Sequence, residues 1–213
     1  GKGFHVAYMN VENMYGAPVA LDHMDKFHAH LTTQFGLAPK TVLEGFSRGG
    51  LFAFNWAARN PDKVAAIYAD APVCDFKSWP GGKGASRRSA GDWKRLLQVY
   101  GLTEEQALAY KGNPVDNLAP LAKAKIPLLH VVGAADTIVP VAENTEIVAQ
   151  RVQFLGGGGI SKQEPVGWEA VSLLPVVGLL AEDQPPLARP ERAAEGVARQ
   201  PVTVGDEEGR ELE

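Results

Sequence analysis

TVLEGFSRGGLFAFNWAARNPDKV, residues 41–64, is the stretch on which the fold is read. Thr41-Val42-Leu43 is a short β-branched and apolar run of the kind that forms a buried strand. Gly45-Phe46-Ser47-Arg48-Gly49 follows it, and Leu51 to Arg59 then runs without Gly or Pro until Asn60-Pro61 stops it as a helix. Gly45 and Gly49 lie two residues either side of Ser47. They let the chain turn sharply from strand to helix and hold the serine, strained, above the sheet. A serine hydroxyl is a poor nucleophile at neutral pH; it needs a base, an acid to orient that base, and donors aimed at the oxyanion. The Arg48 backbone N–H, at the start of the helix, is a candidate for one such donor. The plainer alternative is a glycine-rich turn in which Ser47 caps the helix.

Working outward, residues 3–11 read as a strand and Val19 to Phe35 as a helix. Leu21, Met24, Phe27, His28 and Leu31 recur there at three- and four-residue spacing, and Gly36 is placed to end the helix. Val64 to Ala69 is the next strand, and Ile126 to Gly133 another. Val141 to Phe154 is a helix with Val141, Thr145, Val148 and Val152 on one stripe. Strands alternating with helices predict an α/β fold, a mostly parallel sheet with helices on both faces. Between two of its strands, residues 71–125 change rhythm. A loop, Trp79-Pro80-Gly81-Gly82-Lys83-Gly84, precedes polar helical pieces near 91–99, 103–111 and 116–124, which is the pattern of an insertion placed as a lid. Beyond Gly156-Gly157-Gly158-Gly159 the alternation dissolves into scattered prolines and an acidic tail. The expected organisation is a core over 1–155 and an irregular segment over 156–213.

Composition narrows the function classes. The chain has 213 residues, 45% of them hydrophobic, which suffices to bury a core. With 21 basic against 25 acidic residues it has no electrostatic footprint for nucleic acid, and a small or neutral ligand is the expectation. The longest apolar run, Val171 to Ala181, contains Pro175 and Gly178 and is shorter than the ~18–20 residues a membrane span requires. A single cysteine, Cys74, rules out a disulfide framework and any Cys-rich metal site but leaves the compartment open.

The second piece of a candidate site is Asp136, in Val131-Val132-Gly133-Ala134-Ala135-Asp136-Thr137-Ile138-Val139-Pro140. It lies just past the C-terminal end of a predicted strand, where a carboxylate can accept from a histidine N–H. Gly-Phe-Ser-Arg-Gly-Gly followed by Pro-Leu-Leu-His-Val-Val-Gly-Ala-Ala-Asp-Thr-Ile-Val-Pro resembles the α/β-hydrolase superfamily, in its esterase and prolyl-oligopeptidase-like branch, over about residues 3–155. The resemblance implies Ser47 as nucleophile, Asp136 as triad acid, and a carboxylic-ester or related acyl substrate, with no metal or cofactor. Hydrolysis and acyl transfer share this chemistry. Asp136 read as a turn residue, and Asp75 as a rival acid after the preceding strand, remain the alternatives. Trp79 and Lys83, in the loop of the insertion, are candidate substrate contacts; a Trp covering the sheet edge is the bland reading.

The base is not found. The family places its histidine after the acid, yet His5, His23, His28, His30 and His130 all precede Asp136. His130 reads as a core or strand-end residue and His23, His28 and His30 as helix-surface residues; His23 and His30 share a face but have no carboxylate at ligand spacing to make a zinc site. The superfamily's second oxyanion donor comes from a loop upstream of the first strand read here. The abrupt change past residue 156 is of the kind that a reading-frame shift or a gene-end error produces; on the first of these, the other two frames are expected to encode a strand followed by a Gly-His type loop. Two expectations stand: a serine ester hydrolase, or a catalytically silent hydrolase-fold chain used for binding.

Overall fold

The computed structural model describes residues 5–11 and 14–156, and the backbone of two further strands at 160–162 and 170–173. By compactness the chain divides into Gly1–Val177 and Gly178–Glu213, and all described residues lie in the first unit. The tail beyond residue 173 lies outside the described residues.

Five strands form one sheet. β1 (Thr41–Phe46), β2 (Val64–Asp70) and β3 (Leu128–Val131) are parallel neighbours; β4 (Ile160–Lys162) and β5 (Ala170–Leu173) extend the sheet antiparallel, in the order β1-β2-β3-β5-β4. Parallel neighbours require crossovers. α2 (Gly49–Arg59) supplies the one between β1 and β2, and the inserted segment supplies the one between β2 and β3. That segment holds α3 (Ala90–Tyr100), α4 (Glu104–Ala109) and α5 (Ala119–Lys123). α1 (Pro18–Gln34) precedes β1, and α6 (Thr145–Phe154) follows β3. The sequence reading of an α/β core holds, with each helix within a few residues of its expected place.

Local chemistry explains the boundaries. Pro18 opens α1, where a missing N–H costs nothing. Gly36, at φ +61°, closes it in the left-handed conformation that glycine adopts freely, and the Leu37 N–H returns to the Leu31 carbonyl at 3.3 Å. α4 begins with a capping box, the Thr103 hydroxyl accepting from the Gln106 N–H while the Gln106 side chain accepts from the Thr103 N–H.

The strand expected over 3–11 does not form in its described part. Residues 5–11 take no regular conformation, and Val6 and Tyr8 are each 91% exposed. Alternating apolar residues make a strand only where a neighbouring strand pairs with them; Met9 and Val11 are half-buried, but among the described residues no strand pairs with this segment.

Two apolar clusters carry the fold. The first unites Phe54, Trp56 and Ala57 of α2, Val64, Ile67 and Ala69 of β2, Leu121 of α5, Leu128 of β3, and Val148 and Val152 of α6. The second gathers the inserted segment on the remaining surface of α2, with Leu51, Val73, Phe76, Trp93, Leu96 and Tyr15 buried together. Phe76 is its hub: its ring stacks on Tyr110 at 5.1 Å and meets Tyr100 and Trp93 edge-on. Such pairs add about 0.5–1.5 kcal/mol each beyond their buried area. The insertion is therefore a packed part of the molecule around the site.

Candidate active site

Ser47 follows the last residue of β1, and one residue, Arg48, separates it from α2. Its φ is +51°, a left-handed conformation that costs a non-glycine residue about 1–2 kcal/mol. The turn is held by both neighbours. The Ser47 N–H donates to the Asp70 carbonyl at the end of β2 at 2.8 Å, and the Ser47 carbonyl accepts from Val73 N–H at 2.9 Å and Gly50 N–H at 3.0 Å. Three backbone bonds thus fix the strained serine at the junction of strand and helix. The Arg48 N–H opens the first turn of α2, where amide groups have no intrahelical carbonyl to bond.

The glycines around the serine divide their work differently from the sequence reading. A Cβ on Gly45 would stand 3.2 Å from the Ala53 side chain and from the Gly49 backbone, so Gly45 is needed where strand and helix approach. A Cβ on Gly49 would meet nothing within 4 Å. The second steric requirement falls instead on Gly50, whose Cβ would lie 2.7 Å from the Val73 carbonyl oxygen and 2.8 Å from Pro72 Cβ. The loop after β2 passes directly over the helix start, and Gly50 leaves room for it.

Asp136 lies on the loop after β3. Its Oδ1 accepts from Ile138 N–H at 2.8 Å and Val139 N–H at 2.9 Å, and its own N–H donates to the Gly133 carbonyl. Both side-chain bonds fall on one oxygen, which orients the carboxylate and leaves Oδ2 without a backbone donor among the described residues. The register brings the two residues to one edge of the sheet, since Phe46 pairs with Asp70 and Asp70 pairs with Val131. The ends of β1 and β3 are thus two strand spacings apart, about 10 Å. The C-terminal edge of a parallel sheet is where α/β proteins place their ligands.

A cleft of about 390 Å³ opens at Ser47, lined by Phe46, Ser47, Arg48, Trp79 and Asp92. Trp79, a candidate from the sequence, borders it. Lys83, the other, is exposed on the following loop and does not line it. That loop crosses to the segment after Asp136: the Arg87 N–H donates to the Thr137 carbonyl and the Ser86 hydroxyl to the Ile138 carbonyl at 2.6 Å. Asp92 was not singled out from the sequence. It accepts from the Tyr15 hydroxyl at 2.7 Å and the Ser89 hydroxyl at 2.5 Å and stands 3.8 Å from the Arg48 guanidinium. Although partial burial works against the charge, these donors and cations hold its carboxyl below the usual range. Tyr15 is pushed up to about 12, chiefly by burial and then by Asp92.

The rival acid Asp75 is engaged elsewhere. It accepts from the Lys77 N–H and lies 3.8 Å from the Lys77 ammonium, which also faces Asp116 at 3.9 Å and donates to the Tyr110 carbonyl. Burial raises its pKa. This group ties the inserted segment together.

None of the five histidines borders the cleft. His130 is fully buried in β3, its Nδ1 bonded to the Thr145 hydroxyl at 2.9 Å, its ring against Phe54, and burial lowers its pKa to about 4. His28 of α1 bonds the Pro39 carbonyl and packs on Trp56; His30 packs on Phe35.

The family model Esterase, described as "Putative esterase", matches residues 22–153, a span that includes Ser47, the inserted segment and Asp136. Among curated proteins none matches. Among solved structures, a puromycin hydrolase (S511A mutant, complexed with PGG) aligns with 66% of this chain and 20% of its own at 18% identity and a TM-score of 0.51. MPT51 of Mycobacterium tuberculosis aligns at 18% identity and a TM-score of 0.43, over 62% of this chain and 54% of its own. A monoacylglycerol lipase of Paleococcus ferrophilus aligns at 19% identity and a TM-score of 0.36, over 62% of this chain and 59% of its own. The chain thus spans a fifth of the first of these and little more than half of the others. The likeness to the puromycin hydrolase agrees in fold with the parallel sheet and its crossover helices, and the family match covers most of the chain: it belongs to the esterase family.

Proposed function

We propose that the protein hydrolyses a carboxylic ester through an acyl-enzyme on Ser47. The observation that carries this is the strained serine, at φ +51° between β1 and α2 and open to a cleft. In this reading Ser47 Oγ attacks the ester carbonyl and the oxygen of the tetrahedral intermediate is met by the Arg48 N–H. The alcohol leaves with a proton, and water then releases the acid and restores the hydroxyl. Asp136 serves as the acid that orients the base. Its carboxylate is already fixed by two backbone donors on one oxygen, as an orienting group requires. Trp79 forms one wall for the substrate.

Turnover of short p-nitrophenyl esters tests the reading. Removing the nucleophile of such a site lowers turnover about 10⁶-fold, so Ser47→Ala is expected to fall to background. Turnover that persists in Ser47→Ala would reject it.

One observation favours a second reading, that the fold binds its ligand without turning it over: no histidine of the chain stands at the cleft. Loss of the base alone leaves only ~10³–10⁴ over water. Ser47-dependent turnover well above that level rejects this alternative.

A further inference from the structure

The Arg48 guanidinium is the group at the cleft whose donors are least spent. Its contact is with Asp92, at 3.8 Å, a charge approach too long for a hydrogen bond, and the side chain remains 46% exposed. Asp92 in turn draws on the Tyr15 and Ser89 hydroxyls, one on each oxygen. Arg95, one turn further along α3, acts on the same carboxylate. Two guanidinium groups therefore address a single carboxylate that already has its hydrogen bonds.

The surrounding segment carries the same sign. Residues 77–95 contain six basic side chains, Lys77, Lys83, Arg87, Arg88, Lys94 and Arg95, against one acidic, Asp92, in a chain of net charge -4. Lys77 is buried against Asp75 and Asp116, and Arg88 pairs with Glu104 at 2.9 Å. The other four are exposed. A positive segment beside a cleft in an otherwise acidic protein raises the local concentration of anions there.

We propose that the cleft takes an ester that also carries a carboxylate, with the Arg48 guanidinium receiving that carboxylate while the scissile carbonyl lies at Ser47. The proposal rests on Ser47 as the reacting residue. Arg48 is its immediate neighbour, so the carboxylate stands a few bonds from the ester, as in the half-ester of a short dicarboxylic acid. A planar guanidinium matches a carboxylate with two parallel N–H donors.

Calorimetric binding of monomethyl glutarate and of dimethyl glutarate tests it, measured on Ser47→Ala so that no turnover intervenes. A charged hydrogen bond of ordinary strength gives the half-ester a preference of roughly tenfold or more. The preference is expected to disappear in Ser47→Ala/Arg48→Gln, to survive in part in Ser47→Ala/Arg48→Lys, and to shrink with added salt. Equal binding of the two esters, no binding of the half-ester, or a preference unchanged by Arg48→Gln would overturn it. Because the nucleophile is absent from the measurement, a failure here is separate from a failure of Ser47 to react.

Discussion

Replacing Gly50 by alanine places a methyl group 2.7 Å from the Val73 carbonyl oxygen and 2.8 Å from Pro72 Cβ, both closer than van der Waals contact allows. The obstacle includes backbone, so it yields only if the loop after β2 lifts off the helix. Overpacking of this kind costs about 1–3 kcal/mol. In a chain of this size Tm moves by roughly 2–4 °C per kcal/mol, and a fall of several degrees is expected. The same loop residue holds the elbow, since the Val73 N–H donates to the Ser47 carbonyl at 2.9 Å. A lifted loop therefore also disturbs the serine, and its reactivity should fall with the stability. Gly49→Ala is the control. The new methyl group meets nothing within 4 Å, and a helix favours alanine over glycine by about 0.5–1 kcal/mol in its interior and by less at its first residue. Thermal unfolding followed by circular dichroism should rank Gly49→Ala at or above the wild type and Gly50→Ala well below it. If Gly50→Ala matched the wild type while Gly49→Ala lost stability, the steric assignment around the elbow would be wrong.

His130, with its pKa lowered to about 4 against an unfolded value near 6.5, binds its proton less readily in the folded state. Stability should fall as pH drops from about 6.5 towards 4, and His130→Asn, which keeps an acceptor for Thr145 without titrating, should flatten that slope in urea titrations across the range. Cys74 is completely buried and its thiol pKa is raised by that burial, with Asp75 adding to it. Ellman's reagent should leave it unmodified in the native protein and react stoichiometrically in urea; prompt native reaction would show that the packing over β2 opens readily.

The parts of this fold that were legible in the sequence are those where local pattern and tertiary need coincide. The run from Thr41 to Arg59 has one plausible arrangement, because a β-branched strand, a glycine turn and an uninterrupted apolar helix each exclude the alternatives. The place of Asp136 on the loop after β3 was legible because position past a strand end is a sequence property. Residues 3–11 misled because alternation shows what a strand could bury, and says nothing about whether a neighbour covers it. The weight placed on Gly49 came from symmetry of the motif about Ser47; the real constraint, at Gly50, is set by a loop more than twenty residues away in sequence. Asp92 and Tyr15 were missed for the same reason. Their hydrogen bond joins residues 77 apart, and neither lies in a motif. Tyr15 did carry a local trace, since it precedes a glycine and both take positive φ.

Mass spectrometry of the protein after treatment with a fluorophosphonate addresses the reactivity of Ser47 without assuming a substrate. One adduct is expected, on the peptide containing Ser47, with no adduct formed by Ser47→Ala under the same conditions. Absence of an adduct, or one located elsewhere that persists in Ser47→Ala, would contradict Ser47 as the nucleophile.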